Sequence, residues 1–197
     1  MRALPSAGVY LFFDTETTGI PRSWRAPISD LANWPRVVQL GWVACDERGE
    51  VVAREQRIVR PEDFSIPRDA TRVHGITTER AARDGVALKE ALLAFAAAAG
   101  PCARAIAHNL EFDEKVLGAE YLRAGLPDPL AQMDRLCTMR ASTDHCKLPG
   151  RRGYKWPTLE ELHRHLFDEP IEGSHDAVRD ALACARCFFE LRRRRVL

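Results

Sequence analysis

Residues 9–19 read Val9-Tyr10-Leu11-Phe12-Phe13-Asp14-Thr15-Glu16-Thr17-Thr18-Gly19. The five apolar residues that open this stretch are typical of a strand buried on both faces. Side chains two positions apart on a strand share one face, so Asp14 and Glu16 are predicted to lie side by side at its carboxyl end. Two carboxylates this close repel each other unless a cation lies between them. The stretch therefore predicts a buried strand ending in a cation site, although a strand that simply enters a polar turn remains the alternative.

The composition is that of a globular protein of the soluble type. The chain has 197 residues, of which 46% are hydrophobic and 29% are charged, and its formal net charge is +1. This length and the absence of any composition shift predict a single domain over residues 1–197. So small a net charge argues against a protein that binds long nucleic acids through charge alone. It does not exclude a short nucleic-acid substrate held through metal ions.

The chain shows no apolar run of the length that a signal peptide or a membrane span requires. A cytoplasmic location without membrane attachment is therefore expected. The cysteines form no framework and are expected to be reduced. The CxxC spacing of Cys184 and Cys187 falls in a predicted helix without a second pair, so these two are predicted to be core thiols. The six cysteines are Cys45, Cys102, Cys137, Cys146, Cys184 and Cys187.

Periodicity and turn residues predict a layered α/β sheet. Strands are predicted near residues 9–13, 37–44, 51–60, 103–107 and 130–139, the second and third joined by a hairpin at 46–49. Helices are predicted at 88–99, 109–124, 158–167 and 176–194, with a further short helix capped by Thr77 and with Pro157 as a first helical residue. Residues 20–35, 61–75 and 142–155 are predicted to be loops or connecting structure. Ligands of such sheets lie beyond the carboxyl ends of the central strands, where Asp14 and Glu16 fall.

Two further acids and a histidine complete a candidate site. Asp113 lies one turn into a helix if Asn109 caps it, and Asp180 lies on the inward face of the final helix. His175 and Asp180 would be about 140° apart within one helix, so they converge only if His175 precedes it. A first-turn surface Asp and a capping His remain the alternatives. Together, Asp14, Glu16, Asp113 and Asp180 would suit two Mg²⁺ or Mn²⁺ ions, and His175 would suit a general base.

These residues resemble the DEDDh exonucleases, the family of the proofreading epsilon subunit of bacterial DNA polymerase III and of ribonuclease T. The first motif is matched by Asp14 to Gly19, the second by His108 to Asp113 and the third by His175 to Asp180. Because a histidine lies five residues before Asp180, the chain resembles the histidine branch. Val73 to Thr77 resembles a linking segment of epsilon-like enzymes. The resemblance spans about residues 8–190, which we take as the core of the domain.

The resemblance implies a ribonuclease-H-like fold, with a mixed five-stranded sheet and helices on both sides. It implies that Asp14, Glu16 and Asp180 hold one metal ion and that Asp14, with Asp113 through water, helps to hold a second. His175 would deprotonate the water that attacks the terminal phosphodiester and releases a nucleoside 5′-monophosphate from a 3′ end. The substrate-binding residues implied by the motifs are Thr15, Thr17, Thr18, His108 and Asn109.

The leading functional prediction is a metal-dependent 3′–5′ exonuclease that acts on single-stranded DNA, as in DNA repair or proofreading. An exoribonuclease that trims RNA 3′ ends, a non-catalytic nucleic-acid-binding module and a phosphodiesterase of small nucleotides are the alternatives. The chain ends soon after the final helix, at Arg192 to Leu197, without the tail that tethers epsilon, so a polymerase partner is not expected. A homodimer stays open because family relatives dimerise.

Trp24, Trp34 and one basic and aromatic segment each have two interpretations. Trp24 and Trp34 are predicted either to stack on the bases of a single strand or to hold the long loop onto the sheet. Arg151-Arg152-Gly153-Tyr154-Lys155-Trp156 is predicted to be either a strand-binding ridge or a loop anchored by Trp156. No role is predicted for the remaining histidines, which are His74, His145, His163 and His165.

Overall fold

The computed structural model describes residues 8–197. The first seven residues, on which the expectation about a signal peptide partly rests, lie outside this range. The strands of the main sheet are β1 (Tyr10–Thr17), β2 (Val37–Cys45), β3 (Val51–Ile58), β4 (Arg104–Ala107) and β5 (Asp134–Cys137). A separate two-stranded hairpin consists of β6 (Pro149–Gly150) and β7 (Gly153–Tyr154). The helices are α1 (Arg68–His74), α2 (Thr78–Asp84), α3 (Leu88–Ala99), α4 (Leu110–Ala124), α5 (Thr138–Cys146), α6 (Leu159–Phe167) and α7 (Ala177–Arg193).

The main sheet is mixed, with the strand order β3-β2-β1-β4-β5. Strands β2 and β3 pair in antiparallel fashion through the predicted hairpin, and β1 pairs antiparallel with β2, whereas β4 and β5 run parallel to β1. The predicted mixed five-stranded sheet with flanking helices is therefore confirmed. The parallel strands β1, β4 and β5 end at the same edge, and this edge receives the acids of β1.

Strand β1 lies at the centre of the sheet and contributes to the core on both faces. Leu11, Phe12 and Phe13 are fully buried. On one face the Phe13 ring packs 5.5 Å from the Phe95 ring of α3, and on the other face the Phe12 ring packs 5.4 Å from the Phe188 ring of α7. These contacts follow from the apolar run at 9–13, because a strand covered by helices on both sides has no polar face.

Two predicted loops contain helices. The stretch 61–75 includes α1, which has only seven residues and whose N-cap position, Pro67, offers no side-chain hydrogen bond. The stretch 142–155 includes the second half of α5, followed by β6 and β7. Helix α5 also begins without a side-chain cap, and no acid stands in its first turn. Both helices thus lack the side-chain cap that is the main start signal in a sequence-based prediction.

Two helix starts also differ from the predictions in detail. Pro157 is not the first residue of α6: Thr158 is the N-cap, and it forms a capping box with Glu161. Asn109 precedes α4 as predicted, but it adopts a left-handed conformation, with φ of 68°, and its side chain makes no cap bond. Thr77 caps α2 by accepting a hydrogen bond from the backbone N–H of Arg80, as predicted.

Within residues 8–197, no helix combines the length and apolar character that a membrane crossing needs.

Candidate active site

The acids of β1 lie at the edge where the parallel strands end. Glu16 is buried, with 8% of its surface exposed, and Asp14 is half-buried. Burial raises the pKa of Glu16 to about 8, and the charges of Asp180 and Asp113 add to this effect. Burial also raises the pKa of Asp14 well above its usual range, with further contributions from Asp113, Asp180 and Glu16. The structure therefore brings the four acids predicted from the sequence into one cluster.

Asp113 reaches this cluster from the first turn of α4. It is 2% exposed, and its Oδ1 accepts hydrogen bonds from the backbone N–H of Thr15, at 3.1 Å, and from the Thr15 hydroxyl, at 2.7 Å. Burial raises the pKa of Asp113 to about 7, although the bonds from Thr15 oppose this rise. The left-handed turn at Asn109 lets the chain pass from β4 directly into α4. The inward position of Asp113 excludes the alternative of a surface acid.

His175 and Asp180 meet because His175 lies before the helix, as the sequence predicted. His175 has φ of 67°, and Asp176 caps α7 by accepting a hydrogen bond from the backbone N–H of Arg179 at 3.2 Å. The backbone N–H of His175 donates to Oδ2 of Asp180 at 3.0 Å. One ligand atom each from Glu16, His175 and Asp180 lies within 4.8 Å of the others. The turn thus folds the exposed His175 back toward the acids.

Two residues of β2 fix the amino-terminal end of α7, and the sequence analysis assigned a role to neither. The Oε1 of Gln39 accepts a hydrogen bond from the backbone N–H of Ala177 at 3.1 Å, and its Nε2 donates to Asp176 at 3.2 Å. Gly41 lies opposite Asp14 in the sheet and leaves room for the backbone of Ala177 and Val178. A Gln and a Gly within the otherwise apolar run 37–45 are the sequence signals from which these contacts could have been found.

His74 also lies beside the site, although no role was predicted for it. It ends α1, is buried, and its Nδ1 accepts a hydrogen bond from the backbone N–H of Ile76 at 3.1 Å. Burial lowers the pKa of His74, the nearby backbone of Thr17 raises it, and the charge of His175 lowers it further. These neighbours place the imidazole of His74 next to the acid cluster. The resemblance of Val73 to Thr77 to a linking segment was the one signal at this position, and it assigned no role to His74.

The turn after β1 holds two of the predicted substrate-binding residues. The Thr17 hydroxyl donates to the carbonyl of Gly19 at 2.6 Å. The Thr18 hydroxyl accepts from the backbone N–H of Arg36 at 3.0 Å, and the Thr18 N–H donates to the Arg36 carbonyl at 2.9 Å. These bonds connect the turn to the start of β2. Substrate contacts of Thr15, Thr17 and Thr18 stay predictions.

His108, a further predicted substrate residue, forms its hydrogen bonds inside the protein. Its Nε2 lies 2.9 Å from the carbonyl oxygen of Pro157, and its Nδ1 lies 3.0 Å from the hydroxyl of Thr138. Burial lowers the pKa of His108 to about 4. A neutral ring that donates from Nε2 and accepts at Nδ1 satisfies both partners. His108 therefore joins the end of β4 to α5 and α6, and a direct role of His108 or Asn109 in substrate binding stays a prediction.

The carboxylate oxygens of this cluster suit hard divalent cations. Oδ1 of Asp180 is buried and has no hydrogen-bond partner among residues 8–197, so it is free to bind an ion. Three further carboxyls, of Asp14, Glu16 and Asp113, have raised pKa values because they are buried together without positive charge between them. Carboxylate oxygens are the ligands that Mg²⁺ and Mn²⁺ prefer.

Comparison with known proteins agrees with this geometry. The family model of the RNase_T type, described as Exonuclease, matches residues 11–188. The chain therefore belongs to this exonuclease family, which confirms the resemblance drawn from the motifs. A search of curated proteins finds no match.

Solved structures of exonuclease I share the fold. E. coli exonuclease I in complex with a dT13 oligonucleotide matches 95% of this chain and 42% of its own, with a TM-score of 0.74 and 19% identity. Its complex with a dA16 oligonucleotide gives a TM-score of 0.70 and 21% identity, over 96% of this chain and 42% of that one. A product-bound exonuclease I gives a TM-score of 0.74 and 18% identity, over 96% of this chain and 45% of that one. The chain thus spans less than half the length of these proteins, and the match confirms the ribonuclease-H-like exonuclease fold.

Proposed function

We propose that the protein is a metal-dependent 3′–5′ exonuclease that removes nucleoside 5′-monophosphates from the 3′ ends of single-stranded DNA. The observation that carries this proposal is the convergence of Glu16, His175 and Asp180, whose ligand atoms lie within 4.8 Å of one another, on the acids Asp14 and Asp113. Membership of the exonuclease family supports the hydrolytic activity. The oligonucleotide complexes of structurally similar exonuclease I support single-stranded DNA as the substrate.

The acids are proposed to hold two Mg²⁺ or Mn²⁺ ions. Asp14, Glu16 and Asp180 would bind one ion, and Asp14 with Asp113, through water, would bind the other. Such ions, when bound, activate water and stabilise the leaving oxygen of an in-line displacement. Thr15 holds Asp113 in place through its two hydrogen bonds, and Gln39 holds the first turn of α7, so the acids are fixed before a substrate arrives.

His175 is the proposed general base. Its ring is exposed and makes no hydrogen bond to other residues of the range 8–197, whereas its backbone N–H is held by Asp180. The neutral imidazole would accept a proton from the water that attacks the terminal phosphorus. The new P–O bond forms as the P–O3′ bond breaks, and the oxygen of the shortened strand leaves with a proton from solvent. A positioned imidazole is the side chain that most often takes up a proton in this way.

The test uses purified protein with end-labelled DNA and RNA 20-mers of matched sequence, with Mg²⁺ or Mn²⁺ and with a chelator control. We expect stepwise shortening of the DNA from its 3′ end, lost with chelator. Asp14→Asn should abolish cleavage, and His175→Ala should lower kcat by about 10²–10⁴-fold. Asp144→Asn is the matched control, because Asp144 is exposed and its side chain makes no hydrogen bond or ion pair within residues 8–197.

Other outcomes of this assay distinguish the alternatives. Faster shortening of RNA would identify an exoribonuclease, and binding without cleavage of either strand would identify a non-catalytic module. Wild-type turnover by the Asp14→Asn variant would contradict the assignment of the acid cluster as the active site. The cytoplasmic location, the extent of the domain over 1–197, a homodimer and the lack of a polymerase partner stay predictions.

A further inference from the structure

The four tryptophans fall into two groups. Trp34 and Trp42 are 3% and 1% exposed, whereas Trp24 and Trp156 are 45% and 57% exposed. The indole N–H of Trp34 donates to the carbonyl of Pro27 at 3.0 Å, so Trp34 holds the long loop onto the core. Trp24 and Trp156 leave much of their rings in water, and neither indole N–H makes a hydrogen bond among the described residues. Exposed indole rings indicate a surface that binds a partner.

One network of contacts connects the two exposed tryptophans. The carbonyl of Trp24 accepts a hydrogen bond from Nζ of Lys115 at 3.0 Å, and Lys115 also donates to Glu111 at 2.8 Å. The other carboxylate oxygen of Glu111 accepts from Arg140 at 2.5 Å. The Arg140 guanidinium lies 5.3 Å from the centre of the Trp156 ring. Glu111 thus holds two cations, and each cation contacts the residue that carries an exposed ring.

This network borders the active site. Trp24 packs 5.7 Å from the ring of Phe112, which directly precedes Asp113. Trp156 is followed by Pro157, whose carbonyl lies 2.9 Å from His108 at the end of β4. Both tryptophans are therefore attached to the segment that carries the second acid motif, and both lie at the edge of the sheet where the acids converge.

A cleft of about 330 Å³ lies between the first turns of α4 and α5; its lining is Leu110, Glu111, Glu114, Lys115, Cys137 and Arg140. The amino-terminal ends of two helices attract negative charge. Arg151 and Arg152, in the turn between β6 and β7, add two exposed cations that form no ion pair within residues 8–197. Along this surface the rings of Trp24 and Trp156 flank the cations Lys115 and Arg140, and the acids Glu111 and Glu114 also line the cleft.

We propose that Trp24 and Trp156 form a track for a single nucleic-acid strand on the 5′ side of the scissile phosphate. Bases stack on the two rings, and the phosphates between them lie near Lys115 and Arg140. The alternation of rings and cations matches the alternation of bases and phosphates along a single strand. The assignment of the track to the 5′ side of the scissile phosphate rests on the proposed 3′–5′ exonuclease function. Binding to the track does not require that function.

Binding without chemistry is the first test. A fluorescently labelled DNA 20-mer is titrated with protein in the presence of a chelator, and its anisotropy gives Kd. Trp24→Ala and Trp156→Ala should each raise Kd by about tenfold, and Trp156→Phe should keep Kd within about threefold of wild type, because one aromatic ring replaces another. Leu122→Ala is the control, because Leu122 is an equally exposed apolar residue, 54% exposed, near the opposite end of α4.

Kinetics with substrates of two lengths provide the second test. For a 20-mer with Mn²⁺, the Trp→Ala variants should raise KM by about tenfold with little change in kcat, whereas dinucleotide hydrolysis should be unchanged because a dinucleotide does not reach the track. Wild-type Kd in both Trp→Ala variants, or no binding of the 20-mer by wild type, would overturn the proposal. Weakened binding in a protein that cleaves nothing would support the track and refute the exonuclease function.

Discussion

Gly41→Ala tests whether the site depends on the close approach of α7 to β2. Gly41 lies opposite Asp14, and a Cβ atom at this position would lie 2.3 Å from the backbone nitrogen of Val178 and 2.4 Å from the carbonyl carbon of Ala177. Ordinary van der Waals contact begins at 3.4 Å. Because both clashing atoms belong to backbone, no side chain can move aside. The amino-terminal end of α7 must shift by about 1 Å.

That shift would move Asp180, and with it the hydrogen bond that Asp180 accepts from the backbone N–H of His175. A misplacement of about 1 Å in a catalytic constellation costs about 10²-fold in rate, so we expect kcat to fall by about this factor. The free energy of unfolding should fall by about 1–3 kcal/mol, as for other overpacked cores. The loss of activity should therefore appear at temperatures where the variant is still folded.

The assay combines single-turnover cleavage of a DNA 20-mer, Mn²⁺ binding by calorimetry, and thermal unfolding. Gly100→Ala is the matched control, because Gly100 has φ of −51° and its added Cβ would come no closer than 3.6 Å to another atom outside its chain neighbours. It should retain wild-type rate and Mn²⁺ affinity. A Gly41→Ala protein with wild-type rate and Mn²⁺ affinity would refute the argument that backbone contact between β2 and α7 positions the site.

Three further changes test other parts of the structure. The lowered pKa of His108 means that only the unfolded state binds its proton between pH 6.5 and about 4, so stability is lost as the pH falls. Between pH 7.5 and 5 the free energy of unfolding should decrease by about 2 kcal/mol more in wild type than in His108→Gln; equal decreases would contradict this. Glu120→Ala removes the buried carboxylate that pairs with Arg36 and Arg123, and leaves Arg123 without an acidic partner within residues 8–197, whereas Arg36 keeps Asp63. It should cost about 3–5 kcal/mol in urea unfolding, unlike the exposed control Glu90→Ala. Arg140→Gln should reduce the salt slope of oligonucleotide binding by about 0.7, whereas an unchanged slope would exclude a phosphate contact.

The elements with strong local signals were predictable from the sequence. Helix α3 has the predicted bounds, since an Ala-rich amphipathic run is followed by Gly100. Strand β1 follows the apolar run, and the two-residue alternation placed Asp14 and Glu16 together without reference to any relative. The spacing of His175 and Asp180 also carried the condition that His175 must precede α7, and φ of 67° at this residue meets it.

The missed features depend on contacts between distant segments. Helix α1 and its His74 were missed because seven residues without a side-chain cap give no periodic signal. Gln39 and Gly41 act on α7, which lies more than 130 residues away in the sequence, and Gln39 occupies a position that periodicity assigns to an ordinary buried strand. Trp24 and Trp156 are exposed whereas Trp34 is buried. The sequence did not decide between these positions, because a tryptophan can either pack in the core or stack on a base at the surface.

The acids and the histidine of the site stand on different kinds of backbone. Asp14 and Glu16 lie on the central strand, and Asp113 and Asp180 lie in the first turns of helices that pack on it, so core packing fixes their positions. His175 stands on an exposed turn between Gly173, with φ of 68°, and the cap of α7, and only its backbone N–H is bound. Rigid ligands suit an ion that needs fixed geometry, and the bound backbone N–H of His175 fixes where its exposed ring starts from. The sequence signals divide in a similar way: strand alternation placed Asp14 and Glu16 together, whereas Asp113 and His175 were predictable only on conditions about how α4 and α7 begin.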